Sequence, residues 1–248
     1  MVLEEFKLRD EVAVLTCFGQ SWIGSLASAL AEAGATVVVA GSEQQISAVV
    51  KEIPDLQKPV TAIPTDLTSS EEIQSMIGQV IARCGPIDIL VNNMNVELGK
   101  PILEMSQGEW QHVMDANLTS NFLCCRAVGE HMVGRKKGSI INIVTGASVR
   151  GLANGAAYCA SMGGVVQLTR ALALEWVRKN VRVNALGVGW MENAFGGLQG
   201  DLISRYVPLR RRGRPVDIAP FVVFLSSRAS SYISGHLYFI DGGLMARA

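Results

Sequence analysis

The chain has 248 residues, 49% of them hydrophobic, and its twenty-two basic side chains balance twenty-two acidic ones. That length fits one large α/β domain over residues 1–248, since no linker-like stretch or charge run divides it, and zero net charge excludes the broad basic surface of a nucleic-acid binder. The acidic start MVLEEFKLRD is no signal peptide, and no apolar run approaches the roughly twenty residues of a membrane span, so a soluble protein without membrane contact is expected.

In chain order, EVAVLT from Glu11 reads as a buried strand, and IGSLASALAEAG carries a helical pattern that ends on Gly34. TVVVA, residues 36 to 40, is the next strand, residues 43 to 52 are helical, and VTAIP is a short strand. Thr68 or Ser69 can cap a helix running to about Cys84, and IDILVNN is the fourth strand. The second half repeats the alternation. It predicts a long helix from about Gln107 to His131, the strand SIINIV, a helix from about Ala156 to Arg178 and the strand VRVNAL. Residues 190 to 207 lack a clean period and read as a lid-like segment over a pocket. A helix over 215 to 227 and a last strand, HLYFIDGG, complete the chain. Strands separated by helices of this length require parallel pairing with right-handed crossovers, so the fold expected is a doubly wound, Rossmann-type sheet of seven mainly parallel strands.

Five cysteines, Cys17, Cys84, Cys124, Cys125 and Cys159, show no CxxC spacing, which points to reduced thiols and a cytoplasmic setting. His112, His131 and His236 have no ligand spacing with one another or with a cysteine, so no metal site is expected. Cys17 would stand at a helix N-terminus, where a thiol pKa falls, but a packed, inert thiol is the preferred reading.

The stretch that suggests chemistry is TGASVRGLANGAAYCASMGG, residues 145 to 164. Together with LVNN at 90 to 93, Asn117, INI before Thr145, VRVNAL, RPVDIA and SGHLYFIDGG, it resembles the short-chain dehydrogenases and reductases along essentially the whole chain. The resemblance implies that Tyr158 is the acid or base, that Thr145 holds the substrate oxygen and that Asn117 holds a relay water. It also assigns cofactor contacts to Gly24, Asp66 and Asn92. The last third looks most like the family's sugar-acid dehydrogenases.

Several positions depart from the family pattern. The lysine expected four residues after the tyrosine is Met162, and the expected serine is Thr145. The glycine-rich turn after the first strand becomes TCFGQSWIG, with Cys17, Phe18 and Trp22 at expected glycines and Gly19 as a possible substitute. Gly41 and Ser42 encode no preference between NAD and NADP, Met94 and Asn95 replace a small pair, Val188 and Gly189 replace Pro-Gly, and Asn193 replaces a threonine. On that pattern Phe18, Trp22, Met94 and Asn95 are expected to obstruct a dinucleotide. The favoured expectation is a homologue with a degenerate site, no bound cofactor and no hydride transfer. It would be either a non-redox Tyr/Thr site, as in the halohydrin dehalogenases, which keep an arginine where Met162 stands, or a non-catalytic ligand-binding subunit.

The alternative is an NAD- or NADP-dependent oxidoreductase that reduces a small carbonyl compound. A phenol with no cation beside it stays protonated at neutral pH, which denies alcohol oxidation its base but suits reduction. A homotetramer, or a hetero-oligomer with a relative, is expected in either case, through the two long apolar helices and a second contact at the last strand.

Overall fold

The computed structural model describes residues 2–18, 22–53, 60–192 and 205–246. Gly19, Asn193 and most of the 190–207 segment therefore lie outside the described residues. Seven strands, β1 (Val12–Phe18), β2 (Thr36–Gly41), β3 (Thr61–Pro64), β4 (Ile87–Met94), β5 (Gly138–Thr145), β6 (Val181–Val188) and β7 (Leu237–Ile240), form one sheet in the order β3-β2-β1-β4-β5-β6-β7. Every pairing is parallel. The strand order reverses between β1 and β4, so the crevice for a ligand opens there, beyond the carboxyl ends of the strands.

The helices are α1 (Ile23–Glu32), α2 (Glu43–Glu52), α3 (Ser70–Cys84), α4 (Gln107–Met114), α5 (Ser120–Arg135), α6 (Ala156–Trp176) and α7 (Pro215–Ser226). Because both sheet faces are covered, alternate strand residues enter different cores. Leu15, Val39, Val91, Ile143 and Leu186 meet Ile23, Leu26 and Leu30 of α1 and Ile218 and Val222 of α7. Val14, Val38, Leu90, Ile140 and Val183 meet Ile73, Met76 and Val80 of α3 and Cys124, Cys125 and Val128 of α5.

Local signals set the helix starts. Ser42 and Ser106 form capping boxes with Gln45 and Glu109, and the Ser69 hydroxyl accepts from the Glu72 amide. The helix expected from Gln107 to His131 is broken by a π turn at Asp115–Thr119 and continues to Arg135. The Asp115 carbonyl accepts both the backbone N–H and, at 2.8 Å, the hydroxyl of Ser120, which follows this turn. Lys136, left-handed at φ 57°, ends α5 with its amide directed at the last carbonyls.

A chain of polar side chains crosses the middle of the sheet. Thr16 donates to Asn92 Oδ1 at 3.2 Å, the Asn92 amide donates to Asn142 Oδ1 at 2.9 Å, and the Asn142 amide donates to Thr169 Oγ1 of α6 at 2.9 Å. All four residues are buried, so each lost partner leaves a desolvated donor or acceptor costing about 1–3 kcal/mol. We expect Asn142→Ala to lower stability by about 2–4 kcal/mol, read as a fall in urea midpoint at unchanged slope. A loss under about 1 kcal/mol would show that neighbouring groups reorganise to replace the amide.

Candidate functional site

The carboxyl end of β5 and the first turn of α6 bring two hydroxyls together. Thr145 ends β5, its Oγ1 accepting from the Ala147 amide at 3.3 Å, and Tyr158 lies on the inward face of α6 at 3% exposure. The Thr145 and Tyr158 hydroxyl oxygens are 3.1 Å apart. Tyr158 donates its proton to Asn95 Oδ1 at 2.6 Å, which leaves Thr145 as donor to the phenol oxygen. A carbonyl oxygen placed between the two hydroxyls would receive a hydrogen bond from each.

Asn95 follows β4 in a segment with no regular structure of its own, and Asn117 holds that segment in place. Asn117 Oδ1 accepts from the Val96 amide at 2.7 Å, and its Nδ2 donates to the Val96 carbonyl at 2.9 Å, so one side chain pairs with the backbone as a neighbouring strand would. The same Nδ2 also donates to Ser161 Oγ at 3.0 Å, and Ser161 donates to the Tyr158 carbonyl at 2.8 Å. Asn117 thus reaches Tyr158 through α6 and does not touch its phenol. The backbone carbonyl of Asn117 accepts from Asn121 at 2.7 Å.

Beside the phenol lies a cavity of about 820 Å³. Trp22, Leu152, Trp190, Met191, Tyr206 and Met245 give it an apolar lining, while Asn95, Glu97, Thr145, Tyr158, Arg150 and Arg212 supply its polar side chains. Glu97 and Arg150 were not singled out from the sequence. They stand in loops without periodicity, and only their charge beside apolar stretches could have drawn attention to them.

Two of the four expected obstructions are turned elsewhere. Phe18 and Met94 face each other across β1 and β4 and pack into the core under α3 and α5. Trp22 is 4% exposed and joins the core under α1 while presenting part of its surface to the cavity, and Asn95 binds the phenol. Gly24 is buried in the first turn of α1, Asn92 belongs to the central polar chain, and Asp66 makes an exposed turn by accepting from Thr68. Met162 is 1% exposed and packs with Tyr158, Val144, Val165 and Val166, away from the cavity lining. Cys17 is core, and among the described residues no group of three His, Cys, Asp or Glu side chains is placed to hold a metal ion.

Burial pushes the Tyr158 phenol above its ordinary range, the Thr145 hydrogen bond partly opposes this, and the nearby Glu97 carboxylate adds to the rise. Glu97 is itself raised by desolvation, which the nearby Tyr158 hydroxyl partly opposes. Because the folded phenol resists ionisation, its contribution to stability is complete below the unfolded value of about 10 and is lost as pH rises beyond it. We expect Tyr158→Phe to flatten the alkaline fall in urea stability above about pH 10. An unchanged alkaline slope would mean that the phenol ionises as freely in the folded protein as in the unfolded one.

A family profile described as enoyl-(acyl carrier protein) reductase matches residues 23–245. The 2-dehydro-3-deoxy-D-gluconate 5-dehydrogenase of Formosa agariphila is 32% identical over 255 residues, covering 99% of this chain and 97% of that protein. The 5-keto-D-gluconate 5-reductase of Escherichia coli K12 is 32% identical over 247 residues, covering 97% of each. A gluconate 5-dehydrogenase from Burkholderia cenocepacia J2315, solved in complex with NADP and tartrate, superposes with a TM-score of 0.92 at 29% identity and full coverage of both chains.

These relatives overturn two expectations, lost hydride transfer and the absence of a cofactor, and they give no support to a degenerate site. The physical reason is the orientation of Phe18 and Met94, which fill the core where they were expected to fill the crevice. Matched by the profile over most of its length and by these relatives from end to end, the chain belongs to the short-chain dehydrogenase/reductase family.

Proposed function

We propose that this chain is an NAD(P)-dependent oxidoreductase that reduces the carbonyl group of a small keto acid of the kind named in its relatives. The observation that carries this reading is a neutral, buried Tyr158 phenol 3.1 Å from the Thr145 hydroxyl on the wall of an 820 Å³ cavity. A space of that size lies within the usual range for small-molecule and cofactor sites. Val188 and Gly189 line it at the end of β6 and would border the nicotinamide end. Gly24 marks the N-terminus of α1, where a pyrophosphate is favoured, while Asn92 and Asp66 support the strand ends nearby. When bound, the dinucleotide supplies the hydride.

The protein's own part is proton and oxygen chemistry. Thr145 and Tyr158 would polarise the carbonyl, and Tyr158 would deliver its proton to the developing alkoxide. Alcohol oxidation asks for the phenolate, and no cation stands at Met162 to stabilise it. Arg150 and Arg212 suit a carboxylate on the substrate, and the apolar lining suits its carbon chain. Five free thiols agree with a reduced, cytoplasmic setting. Among the described residues no helix is long and apolar enough to cross a membrane.

Purified protein should consume NADH or NADPH with short keto acids, faster than with neutral ketones of the same length. Oxidation of the matching hydroxy acids should be slow at neutral pH. Tyr158→Phe should cut kcat for reduction by about 10²–10⁴-fold. Oxidation outpacing reduction at pH 7 would reject the proposed direction, and no turnover across the panel would reject the activity.

We also propose a homotetramer, or a hetero-oligomer with a relative. Phe122 of α5 is 42% exposed and lines a groove with Gly129, Val133, Leu172 and Trp176, and Leu174 of α6 is 80% exposed. Light scattering should give about four times the chain mass of 26.6 kDa. A monomer would reject the homotetramer.

A further inference from the structure

Besides Thr145, the Tyr158 phenol has a second side-chain partner, and that partner is an amide. Tyr158 donates to Asn95 Oδ1 at 2.6 Å, at the short end for an O–H···O bond. The other end of the same amide, Nδ2, makes no hydrogen bond among the described residues, and half-buried Asn95 lines the cavity. The backbone beneath it is tied on both sides. The Asn95 N–H donates to the Phe18 carbonyl at 3.1 Å at the end of β1, and Asn117 clamps the next residue, Val96. The position of Asn95 is therefore fixed, while its amide keeps the broad, two-fold freedom of a terminal sp² torsion.

Such an amide can reverse its role. Turned through half a rotation, it changes from acceptor to donor at the same place. A neutral phenol is served by Oδ1 and a phenolate by Nδ2, and the bond to the anion, being charge-assisted, is roughly twice as strong as the neutral one. Met162, packed with Val144, Val165 and Val166, brings no ammonium to that oxygen. Asn95 stands where the family pattern has a small residue, so this contact belongs to the present chain.

We propose that Asn95 is a positioning residue for proton donation by Tyr158: it holds the neutral phenol through Oδ1 and, once turned, steadies the phenolate through Nδ2 in place of a cation. The inference rests on the carbonyl-reduction reading above. A substrate carbonyl that accepts from Tyr158 and Thr145 draws the phenol proton away from Asn95, so Oδ1 loses its donor and Nδ2 takes its place. The phenol O–H bond breaks and the substrate O–H bond forms, while the hydride that reaches the carbonyl carbon comes from the dinucleotide. The phenolate then regains a proton from water entering the cavity and the amide turns back, so charges and electrons balance over the cycle.

The other charged or titratable groups facing the phenol are Glu97, Arg150, Tyr206 and Arg212 of the cavity wall and Cys159, its neighbour on α6. All of them stay in place when only Asn95 is changed, so a shift in the ionisation of Tyr158 then reads the amide.

The test uses the whole protein with difluorotyrosine, whose phenol ionises at lower pH, at its four tyrosines. The Tyr158 fluorine resonance is assigned by its loss in Tyr158→Phe. Without cofactor or substrate, Asn95→Leu, close to asparagine in shape, should move the Tyr158 titration up by about one pH unit, because the phenolate loses its donor. In otherwise unsubstituted protein carrying isotope-labelled asparagine, a side-chain amide proton of Asn95, assigned by its loss in Asn95→Leu, should move downfield with the same midpoint as Tyr158. With NAD(P)H and a keto acid, Asn95→Leu should lower kcat for reduction by about tenfold, with KM within about twofold of wild type.

A Tyr158 titration that falls or stays in Asn95→Leu would show that the amide serves only the neutral phenol, and would overturn the proposal. Asn95 amide protons that do not follow the ionisation would overturn it as well, whether or not the leucine variant folds. A loss of activity carried by KM would make Asn95 a substrate contact instead. Absence of NAD(P)H consumption by wild type, with both resonance signatures present, would sink the oxidoreductase reading and the catalytic use of the amide with it.

Discussion

The arrangement depends on a line of buried amides and hydroxyls, Thr16, Asn92, Asn142 and Thr169, that runs across β1, β4 and β5 into α6. Hydrophobic burial alone would hold these layers together without fixing how far one element slides along another. Directional hydrogen bonds in a dry interior do fix it, because any slip strands a polar group without water to replace its partner. The end of β5, which carries Thr145, and the first turn of α6, which carries Tyr158, are therefore kept in register from below. A second set of bonds, from Asn117 to Val96 and Ser161, does the same for the loop that brings Asn95 to the phenol. Scaffold and site share one polar skeleton.

This skeleton explains how the active hydroxyls can be close without strain. Thr145 is in extended backbone at the end of its strand and Tyr158 is in regular helix, so neither needs an unusual conformation. Their separation is set by the distance between β5 and α6, which many side chains determine together. The electrostatics then follow from what surrounds them. With a thioether at Met162 and a carboxyl at Glu97, the pocket favours the neutral phenol, and the chemistry open to it is donation of a proton.

Most of the fold was legible because a parallel sheet covered on both faces writes each strand as an apolar run, and the intervening helices carry serine caps and periodic faces. The π turn was not legible, since DANLT differs little in composition from ordinary helix. At the site, Thr145 and Tyr158 were found from one motif, but the reading of Phe18 and Met94 failed through neglect of a signal that was present. Val12, Val14 and Phe18 share one side of β1, and Leu90 and Met94 share one side of β4, so strict alternation sends both bulky residues toward α3 and α5. Glu97 had no such signal. The residue before it, Val96, is held by an amide twenty-one residues away, and only the folded chain shows that those two meet.

The π turn at Asp115–Thr119 also bears on how such a site tolerates change in its sequence. A π segment holds one residue more than the α-helix it interrupts, so the faces of α4 and α5 are out of phase by about a hundred degrees relative to one continuous helix. Deleting a residue there would leave every side chain of α5 chemically intact yet rotate the whole set against α3 and the sheet. The inward positions of Cys124, Val128 and Met132 are thus tied to the length of a short polar stretch, and Asn117 sits inside it. In lineages of this chain, that stretch should accept exchanges of residue far more readily than changes of length.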